Sequence, residues 1–173
     1  MFKLFFLSFC IFSYSVVSIY SLSVSDADSG TISFNSFRGK KILIVNTATE
    51  SGQAYQFSAL QQLYTQYHDS LVIIAFPSNS FGNEPRENQD IKAFMQSNYG
   101  TTFPIATKSS VKGDDINIIY KWLSDKMQND VMNGNTRTDF QKFLIDGKGN
   151  IVARFDSSYS PMSAAVQFAV ENY

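Results

Sequence analysis

The residues of this chain that could carry out chemistry at a cleft use oxygen rather than sulfur. Ser51 lies in a polar turn after the apolar run 42–45, at the carboxyl end of a predicted buried strand, where ligands bind in open α/β sheets. A serine nucleophile needs a base, and the one histidine, His68, falls at the far end of the helix that follows. Asp139 could accept a hydrogen bond from Ser51 but is a poor base for a hydroxyl. A hydrolase that uses Ser51 is therefore a remote alternative.

Residue counts limit metal and disulfide chemistry. The chain has one cysteine, Cys10, so no disulfide can form within it, and zinc sites built on thiolates or on several histidines are excluded. Glu50 and Asp139 could offer two carboxylates to a divalent ion, but two oxygens give weak affinity, and a solvated polar rim is the simpler interpretation. The sequence predicts neither a metal nor a cofactor.

Length and charge set the class of protein. The chain has 173 residues, of which 44% are hydrophobic, and this is enough for one domain with a full core. Its formal net charge is −1, with no Lys/Arg-rich segment. A nucleic-acid partner is therefore not expected.

The N-terminal segment has the pattern of an export signal. Lys3 precedes a mostly apolar stretch, and Ser21 and Ser23 provide the small residues that signal peptidase requires. We therefore predict a signal peptide at 1–23, and a periplasmic or secreted protein. The alternative is an uncleaved membrane anchor at 4–23, since about 20 apolar residues just span a bilayer. The Ser/Asp/Gly-rich segment 24–31 predicts a flexible lead-in to a domain at 32–173.

The elements that must position these residues follow from hydrophobic periodicity. The predicted strands span 32–37, 41–46, 71–76, 140–145 and 151–155, and the predicted helices span 54–67, 87–99, 114–131 and 162–173. Parallel strands joined by helices, followed by an antiparallel hairpin, predict an α/β protein. This order is typical of the thioredoxin-like fold, a mixed central β-sheet with helices on both faces.

Four sequence blocks occur in the same order as in a known family. They are the Gly-Lys, strand and Asn-x-Ala-x-x-x-Gly pattern at 39–52, Phe-Pro-x-Asn-x-Phe-Gly with Glu-Pro at 76–85, Tyr-Gly-x-Thr-Phe-Pro at 99–104, and Phe-x-Lys-Phe-Leu-Ile-Asp at 140–146 with Gly149, Val152 and Arg154. From about residue 34 to residue 173 the chain resembles the glutathione peroxidases.

The resemblance implies a set of site residues. The family reduces peroxides with a cysteine or selenocysteine that is held by Gln, Trp and Asn donors. The matching positions here are Ser51 for the peroxidatic residue, Ser80 for Gln, Thr138 for Trp and Asp139 for Asn. A serine hydroxyl is almost wholly protonated near neutral pH and has no sulfenic-acid state to enter. An aspartate would also place negative charge where a thiolate should be stabilised.

Two further family cysteines are replaced as well. Met95 stands where many members carry a resolving cysteine, and Ser78 replaces another. We therefore predict an exported, catalytically inactive pseudo-peroxidase that acts as a binding module for a protein or small-molecule ligand not identified by the sequence. The alternative is a residual or unconventional peroxidase, which would use glutathione or thioredoxin as its reductant.

Overall fold

The computed structural model describes residues 16–173 as two β-sheets and five α-helices. The strands are β1 (Ser23–Ser25), β2 (Thr31–Ser33), β3 (Lys41–Thr47), β4 (Leu71–Pro77), β5 (Lys142–Ile145) and β6 (Ile151–Phe155). The helices are α1 (Gln56–Tyr67), α2 (Asn88–Tyr99), α3 (Ile118–Ser124), α4 (Lys126–Asn129) and α5 (Ala164–Asn172).

The larger sheet is mixed and has the strand order β4-β3-β5-β6. β3 pairs in parallel with β4, whereas β5 is antiparallel to both β3 and β6. The apolar runs predicted β3 and β4 almost to the residue, because strands buried on both faces read as continuous apolar segments. The predicted α/β, thioredoxin-like fold is confirmed.

Each face of this sheet carries its own hydrophobic core. On one face, Ile42 and Ile44 of β3 pack with Tyr120 and Trp122 of α3. On the other face, Leu43 and Val45 pack with residues of α1, α2 and α5. The strand period of two sends successive side chains to opposite faces. One strand therefore contributes to both cores, and the polar turn at residue 51 follows its carboxyl end.

The N-terminal boundary predicted from the sequence is wrong where the structure describes it. The segment 24–31 is not a flexible lead-in, since β1 and β2 pair as an antiparallel hairpin, with Val24 opposite Ile32. Upstream of it, Ile19 is fully buried, and the Val17 carbonyl accepts a hydrogen bond from Trp122 Nε1 at 2.6 Å. Cleavage after Ser23 would remove these contacts, so the folded domain begins before that site.

The rest of the predicted export signal, residues 1–15 with Cys10, lies outside the described residues. Within residues 16–173 no helix combines the length and the apolar character needed to cross a membrane.

Three other element boundaries differ from the prediction. The predicted helix at 114–131 is two short helices, separated at Asp125, whose side chain accepts a hydrogen bond from the Met127 amide. The predicted strand at 32–37 ends at Ser33 and continues as a 3₁₀ turn. β5 starts at Lys142 rather than at residue 140, because Phe140 has a left-handed backbone with φ of +59° and cannot continue a strand.

Candidate functional site

Ser51 lies in the turn between β3 and α1. Its Oγ accepts a hydrogen bond from the Gln53 amide at 3.2 Å, and its carbonyl accepts one from the Ala54 amide at 2.9 Å. A serine hydroxyl that bonds the backbone two residues further along the chain is a common way to stabilise a turn. The half-buried Ser51 side chain therefore has a structural role before any chemistry is considered.

Three of the four predicted site residues line one small pocket. Ser51, Thr138 and Asp139 surround a space of about 260 Å³ at the carboxyl end of β3. The other residues that line this pocket are Gln53, Phe81, Asn83, Arg137 and Ser157. The structure thus brings together residues that are almost 90 positions apart in the sequence, and we call this space the Ser51 pocket.

Asp139 is the buried polar residue of the Ser51 pocket, with only 5% of its surface exposed. Its Oδ2 accepts a hydrogen bond from Asn83 Nδ2 at 2.6 Å. Its Oδ1 is also buried and has no hydrogen-bond partner within residues 16–173. A buried oxygen of this kind is costly, because its interactions with water have been lost without replacement.

Asn46 at the end of β3 holds the backbone on both sides of Asp139. Its side-chain amide donates to the Thr138 carbonyl at 2.9 Å, and its own carbonyl accepts from the Phe140 amide at 2.7 Å. Phe140 adopts its left-handed conformation between these contacts and the start of β5. Bulky residues seldom adopt this conformation, so the surrounding contacts hold a locally strained backbone next to Asp139.

Lys142 lies beneath this backbone and is fully buried. Its Nζ donates a hydrogen bond to the Phe140 carbonyl at 2.8 Å. Burial disfavours the charged ammonium and lowers the pKa of Lys142 from 10.5 to about 8. The sequence analysis did not single out this residue; a charged residue within an otherwise apolar strand pattern was the available signal.

Ser80 does not line the Ser51 pocket. Its Oγ accepts hydrogen bonds from the Val111 amide and from Ser78 Oγ, both at 3.0 Å. Ser80 instead lines a separate cleft with Lys108 and Asp115. Its hydroxyl therefore connects the loop after β4 to the segment before α3. The Ser51 pocket thus contains three of the four residues named from the family resemblance.

A second hydrogen-bonded group ties the turn at Ser51 to the loop after β4. Glu84, which is 1% exposed, accepts hydrogen bonds from both the amide and the hydroxyl of Thr49, each at 2.7 Å. Arg86 Nη1 donates to Thr49 Oγ1 at 2.7 Å and to Glu50 at 3.0 Å. The sequence assigned no role to Thr49, Glu84 or Arg86, although Glu84 belongs to the matched Glu-Pro block.

The carboxylate pair considered as a metal site is not formed. Glu50 pairs with Arg86 and does not line the Ser51 pocket, whereas Asp139 bonds to Asn83. Within residues 16–173 there is no group of three or more His, Cys, Asp or Glu side chains placed to hold a metal ion.

The comparison with known proteins gives a consistent result. The family model described as glutathione peroxidase matches residues 19–124. The glutathione peroxidase-like peroxiredoxin GPX5 of Chlamydomonas reinhardtii is 41% identical over 148 residues, which cover 84% of this chain and 91% of the relative. The glutathione peroxidase homolog BsaA of Staphylococcus epidermidis is 37% identical over 146 residues, which cover 83% of this chain and 92% of that relative.

This chain belongs to the glutathione peroxidase family. Solved structures agree: the apo form of Trgpx superposes with a TM-score of 0.69 at 28% identity, covering 91% of this chain and 98% of that one. A thioredoxin-family thiol:disulfide interchange protein from Chlorobium tepidum superposes with a TM-score of 0.64 at 16% identity, covering 91% of this chain and 99% of that one. At this low identity the match supports the fold alone. The family match starts at residue 19, inside the segment predicted as a signal peptide.

Within this glutathione peroxidase-family domain the hydrolase alternative lacks a base. His68 follows the last residue of α1, where its ring contacts the Thr65 carbonyl and the Asp69 carboxylate. Ser51 precedes the first residue of the same 12-residue helix. At 1.5 Å per residue that helix separates the two side chains by roughly 18 Å, too far for proton transfer.

Proposed function

We propose that this chain is an exported member of the glutathione peroxidase family that has lost peroxidase chemistry and acts as a binding module. One observation carries the proposal: Ser51 stands at the position that matches the family's peroxidatic cysteine or selenocysteine, and the chain's one cysteine, Cys10, is N-terminal to the described residues 16–173. Attack on a peroxide O–O bond needs a thiolate or selenolate that can be oxidised reversibly. A hydroxyl that caps a turn offers neither property.

The surroundings of Ser51 support the loss of peroxidase chemistry. Asp139 places a carboxylate in the same pocket, and negative charge there opposes the formation of a thiolate. Thr138 provides a hydroxyl in place of an indole N–H, and the Ser80 hydroxyl is engaged elsewhere. Several changes at one site are typical of a family member that is no longer under selection for the original reaction.

The pocket itself supports a binding role. It is lined by hydroxyl, amide and charged side chains, and Asn46 and Lys142 brace the backbone beside it. The lining residues lie in turns and loops, and the contacts of Asn46 and Lys142 fasten the loop that carries Asp139 to β3 and β5. A binding site requires polar groups that are held in place in this way. A fold can keep such a site after its chemistry has changed.

Export rests on the N-terminal sequence, with a cleavage site moved to fit the fold. Ser13 and Ser15 repeat the small-x-small spacing that signal peptidase requires. Cleavage after Ser15 would keep Val17 and Ile19, which pack in the folded domain. We therefore place the mature N-terminus at Val16.

The second candidate, favoured by the family match, is a residual peroxidase that draws on glutathione or thioredoxin. A steady-state assay separates the two proposals: the purified chain is mixed with hydrogen peroxide or a lipid hydroperoxide and with glutathione or a thioredoxin system. The binding-module proposal predicts reductant consumption equal to the buffer blank. Consumption that scales with protein concentration, and that persists in a Cys10→Ser variant, would overturn it.

A further inference from the structure

Resting on the proposed binding function, we propose that the Ser51 pocket binds a free α-amino acid, with the ammonium group of the ligand at Asp139 and its carboxylate towards Arg137. The proposal starts from Asp139, a residue of the pocket lining that is 95% buried. Its Oδ1 has no hydrogen-bond partner within residues 16–173. A buried carboxylate is retained at a cost unless a cation or several donors engage it.

The two charges of the pocket have no partners among the described residues. Asp139 accepts one neutral hydrogen bond, from Asn83, and takes part in none of the ion pairs formed within residues 16–173. Arg137 is an exposed residue that also lines the pocket, and its side chain takes part in none of the ion pairs and side-chain hydrogen bonds of that range. One anion and one cation, on either side of Thr138, complement a zwitterion.

The neutral lining suits an ammonium group. An ammonium has three donors, of which Asp139 can take one or two, and the hydroxyl oxygens of Ser51, Thr138 and Ser157 are acceptors for the remainder. Oδ1 of Asp139 has almost no exposed surface, so the carboxylate must turn to meet the ligand. A two-fold turn about the terminal torsion would only exchange the two oxygens, so the movement breaks the hydrogen bond from Asn83, and the ligand's ammonium takes the place of that donor.

Size and charge limit the other ligand classes. A pocket of about 260 Å³ lies below the roughly 300–1,000 Å³ of sites for drug-sized ligands, which favours a compact compound. A simple anion would meet the Asp139 charge, and a divalent cation would find a single carboxylate where hard cations take six or more oxygens. A diamine would satisfy Asp139 but place its second ammonium near Arg137.

The test is an NMR titration of the ¹⁵N-labelled protein with L-amino acids and with the matched L-α-hydroxy acids, such as alanine against lactate and phenylalanine against phenyllactate. Each pair differs in the replacement of the ammonium by a hydroxyl. We expect at least one amino acid to shift the amide signals of Ser51, Thr138 and Asp139 saturably. Its hydroxy acid, and its C-terminal amide, should bind about 10-fold or more weakly.

The matched variants are Asp139→Asn, which removes the charge while keeping the shape, and Asp114→Asn, which removes an exposed charge that does not line the pocket. Asp139→Asn should weaken amino-acid binding about 10-fold or more, and Asp114→Asn should leave it unchanged. If Asp139→Asn proves misfolded by its spectrum, the amino-acid and hydroxy-acid comparison on the unaltered chain decides alone.

Three results would overturn this assignment: no saturable shift with any amino acid, hydroxy acids that bind as tightly as their amino acids, or a folded Asp139→Asn protein that binds as well as the unaltered chain. A pocket that takes other compounds would remove the amino-acid assignment and leave the binding module intact. Peroxide turnover, by contrast, would remove the proposed function whatever the ligand.

Discussion

The hydroxyl of Ser51 accepts a hydrogen bond from the backbone amide of Gln53 at 3.2 Å. The oxygen at the family's reactive position is thus used to close the turn that leads into α1. The same amide would face a sulfur atom placed at residue 51. Whether such a sulfur could become a thiolate depends on the charge that Asp139 brings to the same pocket.

Restoring a thiol at this position should not restore efficient catalysis. In a Cys10→Ser background, Ser51→Cys should react slowly with peroxide, and adding Asp139→Asn should lower the pKa of the new thiol by about one unit, because a neighbouring negative charge disfavours the thiolate. The rate of iodoacetamide alkylation against pH measures this pKa. Ser58→Cys, at an exposed position of α1, provides the reference thiol. Equal pKa values with and without Asp139 would contradict the expectation.

The contact between Thr49 and Glu84 should contribute to folding stability. Thr49→Val removes the hydroxyl that donates a 2.7 Å hydrogen bond to the buried Glu84 carboxylate. The same hydroxyl accepts a hydrogen bond from Arg86 Nη1, which is lost as well. We expect a loss of about 1–3 kcal/mol in the free energy of unfolding, measured by urea denaturation. Thr65→Val, at an exposed site on α1, should change it by less than about 0.5 kcal/mol. Similar losses for both variants would show that the Thr49 contact contributes no more to the free energy of unfolding than an exposed hydroxyl does.

Lys142 should make stability rise with pH in the mildly alkaline range. Its pKa is about 8 in the folded protein and near 10.5 in the unfolded chain, so the unfolded chain binds more protons between these values and unfolding becomes less favourable as pH increases. From pH 8 to pH 10 the gain relative to Lys142→Met should be on the order of 2 kcal/mol.

Other groups that titrate at high pH contribute equally to the stability of the unaltered chain and of Lys142→Met, so their contributions cancel in the comparison. Burial raises the pKa of Tyr120 well above its usual value, and this residue is present in both proteins. Lys148→Met, at an exposed turn position, should keep the pH dependence of the unaltered chain. Parallel stability curves for the unaltered chain and Lys142→Met would show that Lys142 keeps an ordinary pKa.

Export should leave Val17 and Ile19 on the mature chain. The Val17 amide donates to the Gln128 carbonyl at 2.9 Å, and Ile19 is fully buried. Mass spectrometry of protein recovered from the exported fraction should therefore find Val16 as the first residue. A mature protein that starts at Val24 would contradict the proposed site, and a chain retained in the cytosol with its first residues intact would contradict export.

Much of the fold follows from local pattern. The apolar runs of β3 and β4 and the helical periodicity of α1 and α2 predicted these elements to within about two residues, because their burial is set by the alternation of layers. Strand β1 and its pairing with β2 were missed, since the Ser-rich segment 23–25 carries no apolar run. Their pairing is decided by long-range contacts that a local pattern does not contain.

The candidate site was predictable in its membership but not in its geometry. Motif matches named Ser51, Ser80, Thr138 and Asp139, and the structure places Ser51, Thr138 and Asp139 around one pocket at the carboxyl end of β3. Ser80 was misplaced, since the hydrogen bond that draws its hydroxyl away comes from Val111, outside every matched block. The left-handed backbone of Phe140 also had no local signal, because no glycine marks it.

The most direct test of the central claim is a single-turnover reaction between the purified protein and a stoichiometric amount of hydroperoxide. A Cys10→Ser variant removes the one thiol of the chain. We expect peroxide to disappear at the rate of the buffer blank and peptide mass spectrometry to find residue 51 as unmodified serine. Rapid loss of peroxide in step with protein concentration, or a reducible oxygen adduct on the peptide that contains residue 51, would contradict it.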